Sequence, residues 1–377
     1  MTEICAHCVL PDSYPRITFD NEGVCSVCRR YEKRWEGWKS LLPERHKVLR
    51  KICKQAHSKH REFDALIPLS GGKDSMYVLY TAKQELGLNC IASTLNHGYL
   101  STHARNNINR ACRKLGVEHI YYDVDPNLIN RLFALFMRKT GYFCSVCHRA
   151  IEMTNYRVAD MYKVPIILSG TSLRTELPLS AEMFQYGSIP YIREVLRGEP
   201  IAPECKRLLY GRSVRRNIGL LLFLLSGRRS LVSSASLNLA DYMEWNYEII
   251  LQVIHDELGW RSAADRFEHM DCAIVPVAEY LHNRRFPGLS QRRLTLARHV
   301  MAGQTSRDEA LRILNEEAEE QCPESLLRMF LRNLDMSREE FDHFIDMGPR
   351  HLQFRPQPNP LTKAALSRFR VEEAGME

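Results

Sequence analysis

The sequence predicts an α/β fold in which a parallel sheet is covered by helices on both faces. From residue 63 onward, short apolar runs typical of buried strands alternate with amphipathic segments typical of helices. A Gly-Gly turn joins the first predicted strand to the first helix, and Ser70, Asn96, Asp123 and Ser169 lie at the carboxyl ends of the predicted strands. Because ligands on such sheets bind beyond the carboxyl ends of the strands, these residues mark the predicted site.

Each predicted strand is a run of five to seven mainly apolar residues, and each predicted helix repeats apolar residues every three or four positions. After residue 176 the pattern becomes mainly helical and, as far as residue 230, rich in arginine. The predicted strands are 63–69, 90–95, 119–124 and 165–169, and the predicted helices are 76–86, 102–115, 126–139, 149–162, 248–258, 291–301 and 306–320.

Shifts in composition divide the chain into five predicted parts. The first is rich in cysteine, the second is basic and helical, the third contains the alternating strands and helices, and the fourth is mainly helical. The last contains Pro356, Pro358 and Pro360, which favour a flexible tail. In order, the parts cover residues 1–30, 31–61, 62–189, 190–345 and 346–377.

The composition is that of a soluble globular protein, with 45% hydrophobic and 26% charged residues. The longest apolar run, residues 218–225, is far shorter than the ~20 residues that a membrane helix needs. The start at Met1 lacks the basic and apolar pattern of a signal peptide. We therefore expect a cytoplasmic protein without a membrane span, whose twelve cysteines serve metal binding or packing rather than disulfides.

The net charge of +7 is unevenly distributed along the chain. Residues 29–61 contain 12 Lys and Arg against 3 Glu, and residues 193–229 contain 9 against 3. Such basic stretches could bind the phosphates of a nucleotide-sugar, a lipid carrier or RNA. The alternative is that both are solvated helical faces.

The segment Ser70–Ser75, with the sequence Ser-Gly-Gly-Lys-Asp-Ser, predicts an anion site between a strand and a helix. Small residues let backbone N–H groups approach phosphate oxygens, and the dipole of the following helix favours negative charge. The spacing differs from that of a Walker A loop. The segment resembles the PP-loop of ATP pyrophosphatases, which cleave ATP to AMP and pyrophosphate. The alternative is an ordinary Gly-Gly turn.

Two Cys-x-x-Cys pairs near the N-terminus predict a structural zinc site. Each pair supplies two sulfurs from one tight turn, and two turns complete a tetrahedron without an open position. His7 is a less favoured ligand because four cysteines already close the site. The predicted ligands are Cys5, Cys8, Cys25 and Cys28.

A third pair, Cys144 and Cys147, has no neighbouring pair. Two thiolates cannot close a tetrahedral site, so a third ligand should come from a distant segment. Cys272 is the first choice because it lies among polar residues, and Cys205 is the second. Three cysteines could hold a [4Fe–4S] cluster that leaves one iron open. A redox dithiol, a second zinc site and inert thiols remain alternatives.

Together, these residues resemble the N-acetyl sugar amidotransferase family of bacterial surface-polysaccharide biosynthesis, within the PP-loop ATP pyrophosphatase superfamily. The resemblance covers about residues 1–345 and includes the N-terminal cysteine pattern and the Ser70–Ser75 loop. Its other motifs are Ile-Leu-Ser-Gly-Thr at 167–171, Glu-Leu-Gly-Trp-Arg at 257–261, and residues 303–311. It implies a PP-loop (HUP-like) sheet with an N-terminal zinc knuckle and a mainly helical C-terminal region.

The resemblance implies that ATP adenylates the acetamido oxygen of a sugar and that ammonia then displaces AMP to leave an acetamidino group. The product would serve lipopolysaccharide or O-antigen biosynthesis. No glutaminase triad is visible, so a separate glutaminase would supply the ammonia. The resemblance leaves open whether the protein forms a homodimer.

The pair Cys144 and Cys147 departs from many members of that family. It resembles instead the iron–sulfur tRNA-thiolating enzymes of the same superfamily, in which sulfur replaces the activated oxygen of tRNA or a small molecule. A third hypothesis is a nucleotide- and RNA-binding module without turnover, which the zinc unit and the basic segments permit.

Activation of an oxygen requires the triphosphate to be held and its charge to be neutralised. Lys73 would neutralise the pyrophosphate and Asp74 would bind Mg²⁺, the alternatives being a solvent-facing lysine and a helix cap. With Cys144 and Cys147, they are the catalytic candidates. The expected cradle of the pyrophosphate is Ser70, Gly71, Gly72 and Ser75. The other expected contacts are Asn96, Ser169, Gly170 and Thr171 for the nucleotide, and Trp260, Arg261, Glu268 and His269 for the substrate.

Overall fold

A five-stranded parallel sheet forms the centre of the computed structural model, in the order β3-β2-β1-β4-β5. The strands are β1 (Ala65–Pro68), β2 (Cys90–Asn96), β3 (Glu118–Asp123), β4 (Ile166–Ser169) and β5 (Ala235–Asn238). The structure describes residues 3–57, 62–172, 174–176, 183, 187–210, 235–262, 271–316 and 322–347.

Fourteen α-helices accompany the sheet within these described residues, together with a π-helical turn at Thr81–Glu85 and a 3₁₀ turn at Leu239–Asp241. The first eight are α1 (Ser26–Trp35), α2 (Trp38–Ala56), α3 (Lys73–Tyr80), α4 (Thr102–Leu115), α5 (Pro126–Thr140), α6 (Cys144–Met161), α7 (Ile189–Val195) and α8 (Ala202–Tyr210). The others are α9 (Tyr247–Leu258), α10 (Val275–Arg285), α11 (Gln291–Met301), α12 (Arg307–Glu316), α13 (Glu324–Asn333) and α14 (Arg338–Asp346).

Both faces of the central strands β1, β2 and β4 are buried, as expected where helices connect parallel strands. On one face Ile67 packs with Met76 of α3 and Ile108 of α4. On the other face Leu66 packs with Val158 of α6. The strands run in one direction, so their carboxyl ends share an edge. The strand order changes direction between β1 and β4, which opens a crevice at that edge. The predicted fold class is confirmed.

Two elements differ from the prediction. Helix α6 begins at Cys144 rather than at residue 149, because Val146 and Ala150 extend its buried face by a further turn. Strand β5 was not predicted, since Leu237 is its only large apolar residue, and pairing with β4 fixes it instead. It extends the sheet beyond residue 189. The five-part division stays a prediction, and most of the predicted tail lies outside the described residues.

The N-terminal cysteine module packs on the C-terminal helices rather than on the sheet. Val9 and Leu10 are fully buried in a cluster that includes Leu294 and Ala297 of α11. Arg293 of the same helix donates a hydrogen bond of 2.9 Å to the Val9 carbonyl. The N-terminal module and helix α11 therefore form one packed unit. Within the described ranges, no helix has both the length and the apolarity that a bilayer crossing requires.

Candidate active site

The loop between β1 and α3 is closed by hydrogen bonds among its own serines. The Ser70 amide donates to Ser75 Oγ at 3.3 Å, and the Gly72 amide donates to Ser70 Oγ at 3.2 Å. Ser75 Oγ in turn donates to the Gly72 carbonyl at 2.9 Å. Gly72 is the N-cap of α3, so the loop leads into the positive end of the helix dipole. This arrangement fits the binding of a phosphate group.

Gly71 is required by both its backbone and its surroundings. Its φ of +88° lies in the left-handed region that favours glycine. A Cβ at this position would lie 2.7 Å from Cα, Cβ and the carbonyl oxygen of Ala104 on α4. The close approach of α4 therefore leaves room only for glycine in the loop.

Trp260 and Arg261 lie at the PP-loop. The Trp260 indole Nε1 donates to the Gly71 carbonyl at 2.9 Å. The side-chain amide of Asn107 on α4 donates to the Arg261 carbonyl at 2.9 Å and accepts from the Arg261 backbone amide at 3.2 Å. The Arg261 side chain is exposed. These contacts support the loop, and the predicted substrate residues Glu268 and His269 lie outside the described residues.

Asp74 is surrounded by groups from three other places in the sequence. Lys73 Nζ lies 3.1 Å from its carboxylate, and the Trp245 indole donates to it at 2.9 Å. Glu176 shares a hydrogen bond with it. Gly170 is so close that a Cβ there would lie 3.0 Å from Asp74 atoms. The loops after β1 and β4 therefore meet at this carboxylate.

The two carboxyl groups of this pair titrate in opposite directions. Burial opposes ionisation of Asp74, but Lys73 and the hydrogen bonds from Glu176 and Trp245 hold its pKa below the usual range. Burial and the charge of Asp74 raise the pKa of Glu176 well above its usual value. A neutral Glu176 thus donates to an ionised Asp74. Two oxygen-donor groups that share one proton fit Mg²⁺, whose binding would release that proton.

Lys73 points into the site. Its side chain is only 15% exposed, and Nζ lies 4.5 Å from the centre of the Tyr247 ring on α9. The solvent-facing alternative therefore does not describe this lysine. Burial raises the pKa of Tyr247, which keeps the phenol neutral.

The other predicted nucleotide contacts lie along the same edge of the sheet. Asn96 ends β2, and its side-chain amide donates a hydrogen bond of 2.6 Å to Asp123 at the end of β3. Ser169 ends β4, and its hydroxyl donates 2.7 Å to Asn238 at the end of β5. Thr171 is exposed beyond this edge. Their roles as nucleotide contacts remain predictions.

Three residues of the site were not predicted from the sequence. Glu176 follows the Ser-Gly-Thr segment after β4, and an acidic residue so soon after a strand end was a usable signal. Trp245 and Tyr247 gave no signal, because they lie just before or at the start of a helix predicted to begin at 248. Only the packing of α9 on α3 brings them to Lys73 and Asp74.

The four N-terminal cysteines lie together and are fully buried. Their sulfurs all lie within 4.8 Å of one another, and Cys5–Cys28 and Cys8–Cys25 are each separated by 3.9 Å. Sulfurs on a tetrahedral zinc ion, with Zn–S bonds of about 2.3 Å, lie about 3.8 Å apart. Backbone amides also donate to these sulfurs, including those of Cys8 and Cys25 to Cys5 Sγ. The site fits a zinc ion.

The second cysteine group combines the Cys144–Cys147 turn of α6 with Cys272. Burial and the neighbouring Cys272 raise the pKa of Cys144 to about 12 and that of Cys147 well above its usual value. Cys272 pairs with Leu100 in an isolated bridge beyond β2. No comparable influence ties Cys205 of α8 to the pair. A [4Fe–4S] cluster on these three cysteines remains a prediction, because among the described residues only Cys5, Cys8, Cys25 and Cys28 bring three or more such ligand atoms within 4.8 Å of one another.

The fold and the loop define a PP-loop α/β protein. Residues 261–366 match the model of a family described as "LPS biosynthesis protein WbpG-like, C-terminal domain". This match confirms, for the C-terminal part of the chain, the resemblance to proteins of bacterial surface-polysaccharide biosynthesis.

One curated relative is "Uncharacterized protein MJ1599" of Methanocaldococcus jannaschii, which is 23% identical over 174 residues. The match covers 45% of this chain and 59% of that protein, so the chain spans less than two thirds of the relative's length.

Solved structures similar to this chain include NMN synthetase from Francisella tularensis, with 13% identity and a TM-score of 0.36. That match covers 85% of this chain and 98% of the synthetase. Another is the U34-tRNA thiolase NcsA from Methanococcus maripaludis with its [4Fe-4S] cluster, with 15% identity and a TM-score of 0.32. It covers 89% of this chain and 97% of the thiolase. Neither likeness bears on activity.

Gly71→Ala should remove nucleotide binding, because the added methyl group would push α4 away from the loop. Gly116→Ala is the matched control: it also has a positive φ, +60°, but has open space around its Cβ position. Both variants should lose about 1 kcal/mol from backbone strain. Only Gly71→Ala should lose binding of an ATP analogue in calorimetry. Equal binding by the two variants would contradict this account of the loop.

Glu176→Gln should change the pH dependence of stability of the metal-free protein. The folded pKa of Glu176 is raised, so its carboxyl stabilises the fold fully below the unfolded pKa of about 4.3. This contribution is lost as pH rises through the folded value. Between pH 4 and pH 8 the melting temperature of the wild type should therefore fall by more than that of Glu176→Gln. The amide of Gln at this position still donates to Asp74 and does not titrate. Glu118→Gln, at an exposed strand residue, should follow the wild type.

Proposed function

We propose that the protein is a PP-loop enzyme that cleaves ATP to AMP and pyrophosphate in order to activate an amide oxygen for nitrogen transfer. The substrate that the family match favours is an N-acetyl sugar on the route to lipopolysaccharide or O-antigen. The observation that carries the proposal is the convergence of Lys73, Asp74 and Glu176 on the N-terminus of α3. A phosphate-binding turn with a partly buried lysine and a carboxyl pair is equipped for a triphosphate with its metal ion.

The chain's residues would divide the activation step among them. The amides and hydroxyls of Ser70–Ser75 would hold the pyrophosphate portion, and Lys73 would neutralise part of its charge. Asp74 and Glu176 would hold Mg²⁺, whose charge offsets that of the phosphates. The acetamido oxygen would attack the α-phosphorus and the bond to pyrophosphate would break. Ammonia would then add to the activated carbon, and AMP would leave with the former amide oxygen.

Several partners follow from this proposal. Ammonia would come from a separate glutaminase, because no triad for its release is evident in the sequence. The four-cysteine knuckle would hold Zn²⁺ as a structural ion. Helix α2 exposes Lys47, Lys51 and Lys54, which would favour a substrate with phosphate groups such as a nucleotide-sugar.

Pyrophosphate should form once ATP, Mg²⁺ and an N-acetylated nucleotide-sugar are present, and AMP should be released in turnover only when ammonium is added. Asp74→Asn and Glu176→Gln should each lower the rate at least about 100-fold, because each removes a carboxylate from the metal site. Glu118→Gln should leave it unchanged. Mass spectrometry should show the sugar product lighter by about one mass unit, since NH replaces O. Product formation without ATP cleavage would exclude the proposal.

A second candidate function, sulfur transfer to an oxygen activated in the same way, is favoured by the three cysteines near the site. Cys144 and Cys147 come from one helical turn, and Cys272, 125 residues after Cys147 in the chain, packs against the same apolar cluster and raises the pKa of Cys147. Three cysteine ligands with one open iron would allow an external sulfide to bind. The acceptor would be tRNA or a small molecule.

Protein purified without oxygen should decide between the two functions. If it is the sulfur transferase, it should be brown and contain iron and sulfide, and Cys272→Ala should lose both. Cys205→Ala is the matched control, since Cys205 is also buried, in the cluster against which the pair packs, but the charges that act on its thiol are those of Glu204 and Arg131. Colourless protein that contains only zinc would eliminate this candidate and leave the nitrogen transferase.

A further inference from the structure

The motif at residues 303–311 forms part of the family resemblance, but the proposed chemistry does not use it. It contains the turn after α11 and the start of α12. We propose that Gln304 is a positioning residue for the ATP site, and that Gln304 and Arg307 together connect the cysteine knuckle to the PP-loop. This inference rests on the proposed function, because the site that it positions is the proposed ATP site.

Gln304 holds the backbone of the Trp245–Tyr247 segment with both ends of its side-chain amide. Its Nε2 donates to the Trp245 carbonyl at 3.0 Å, and its Oε1 accepts from the Tyr247 amide at 3.0 Å. The backbone amide of Gln304 donates to the His299 carbonyl at 2.9 Å, and this hydrogen bond fixes the turn after α11. Gly303 has a φ of +70°, as the left-handed turn after the helix requires.

The segment that Gln304 holds carries the two rings that touch the PP-loop. Trp245 donates to Asp74 at 2.9 Å, and Tyr247 lies under Lys73 with 4.5 Å between Nζ and the ring centre. Trp245 is only 1% exposed and packs against Tyr77 of α3 at 5.2 Å between ring centres. A shift of this segment would therefore move the partners of Asp74 and of Lys73.

Arg307, three residues beyond Gln304, forms hydrogen bonds with the cysteine knuckle. Its Nε donates to the Cys5 carbonyl at 3.0 Å and to the Cys8 carbonyl at 3.1 Å. A metal ion on these cysteines would hold both carbonyls in place. The motif thus joins the knuckle on one side to the Trp245–Tyr247 segment on the other.

A second connection reaches Glu176 from the same direction. Tyr31 of α1, three residues after Cys28, donates its hydroxyl to the Arg174 carbonyl at 3.2 Å. Arg174 itself donates to the Ala302 carbonyl at 3.0 Å, next to the motif. Because Glu176 lies two residues after Arg174, both carboxyl groups of the pair are attached to elements that meet the knuckle.

The test uses Gln304→Met, which keeps the length of the side chain and removes both hydrogen bonds. Asn283→Ala is the matched control, because Asn283 Oδ1 accepts from the Gln291 amide at 3.0 Å and so fixes the opposite end of α11. Hydrogen exchange of residues 70–80 should accelerate in Gln304→Met and stay unchanged in Asn283→Ala. The dissociation constant of the α,β-methylene analogue of ATP with Mg²⁺ should rise about tenfold in Gln304→Met only.

Kinetics separates positioning from a general loss of stability. Gln304→Met should raise KM for Mg²⁺ and for ATP and lower kcat, while zinc content stays at the wild-type level. Arg307→Met should act in the same direction, and the double variant should lose no more than Gln304→Met alone, because both act through one connection. Strictly additive losses would contradict this coupling.

Unchanged exchange at residues 70–80 in Gln304→Met would overturn the inference, whatever the protein binds. Equal effects of Gln304→Met and Asn283→Ala on exchange and on analogue binding would also overturn it, since both would then be general stability effects. Accelerated exchange in a protein whose wild type binds no ATP analogue would support the positioning connection and count against the proposed function.

Discussion

The carboxylate of Asp74 is the group on which the arrangement of the site depends. A carboxylate removed from water is costly unless its charge is balanced and its oxygens accept hydrogen bonds. Lys73 supplies the charge, and Trp245 and Glu176 supply hydrogen bonds. A side chain at Gly170 would crowd Asp74, since its Cβ would lie 3.0 Å from Asp74 atoms. Segments far apart in the chain must therefore reach Asp74 together before it can stay ionised and partly buried.

This requirement explains why the site is not confined to the residues around the PP-loop. The sheet supplies the loops after β1 and β4, which meet because the strand order changes direction between them. The Trp260 indole completes the loop from the far end of α9, and Trp245 approaches from its near end. Helix α9 thus contributes to the site at both of its ends, although it follows the predicted α/β domain in the sequence.

The sequence was sufficient for those features that depend on local pattern. Apolar alternation predicted four of the five strands, and the spacing of Ser70–Ser75 and of the N-terminal cysteines predicted the loop and the four-cysteine cluster. Features that depend on tertiary packing were missed. Strand β5 has one large apolar residue, and Trp245 and Tyr247 reach the loop only because α9 packs on α3. The pattern of residues in a single sequence carries no information on such tertiary contacts.

The three-cysteine group and the PP-loop share one structural connection, which bears on the choice between nitrogen and sulfur. Leu100 pairs with Cys272, and the Ser101 amide donates to the Asp271 carbonyl at 2.9 Å. Ser101 caps α4, whose Ala104 lies against Gly71. The first turn of α4 therefore touches the loop on one side and continues into the cysteine group on the other. Delivery of sulfur to an adenylated oxygen, the second of the two proposed functions, would require such a proximity.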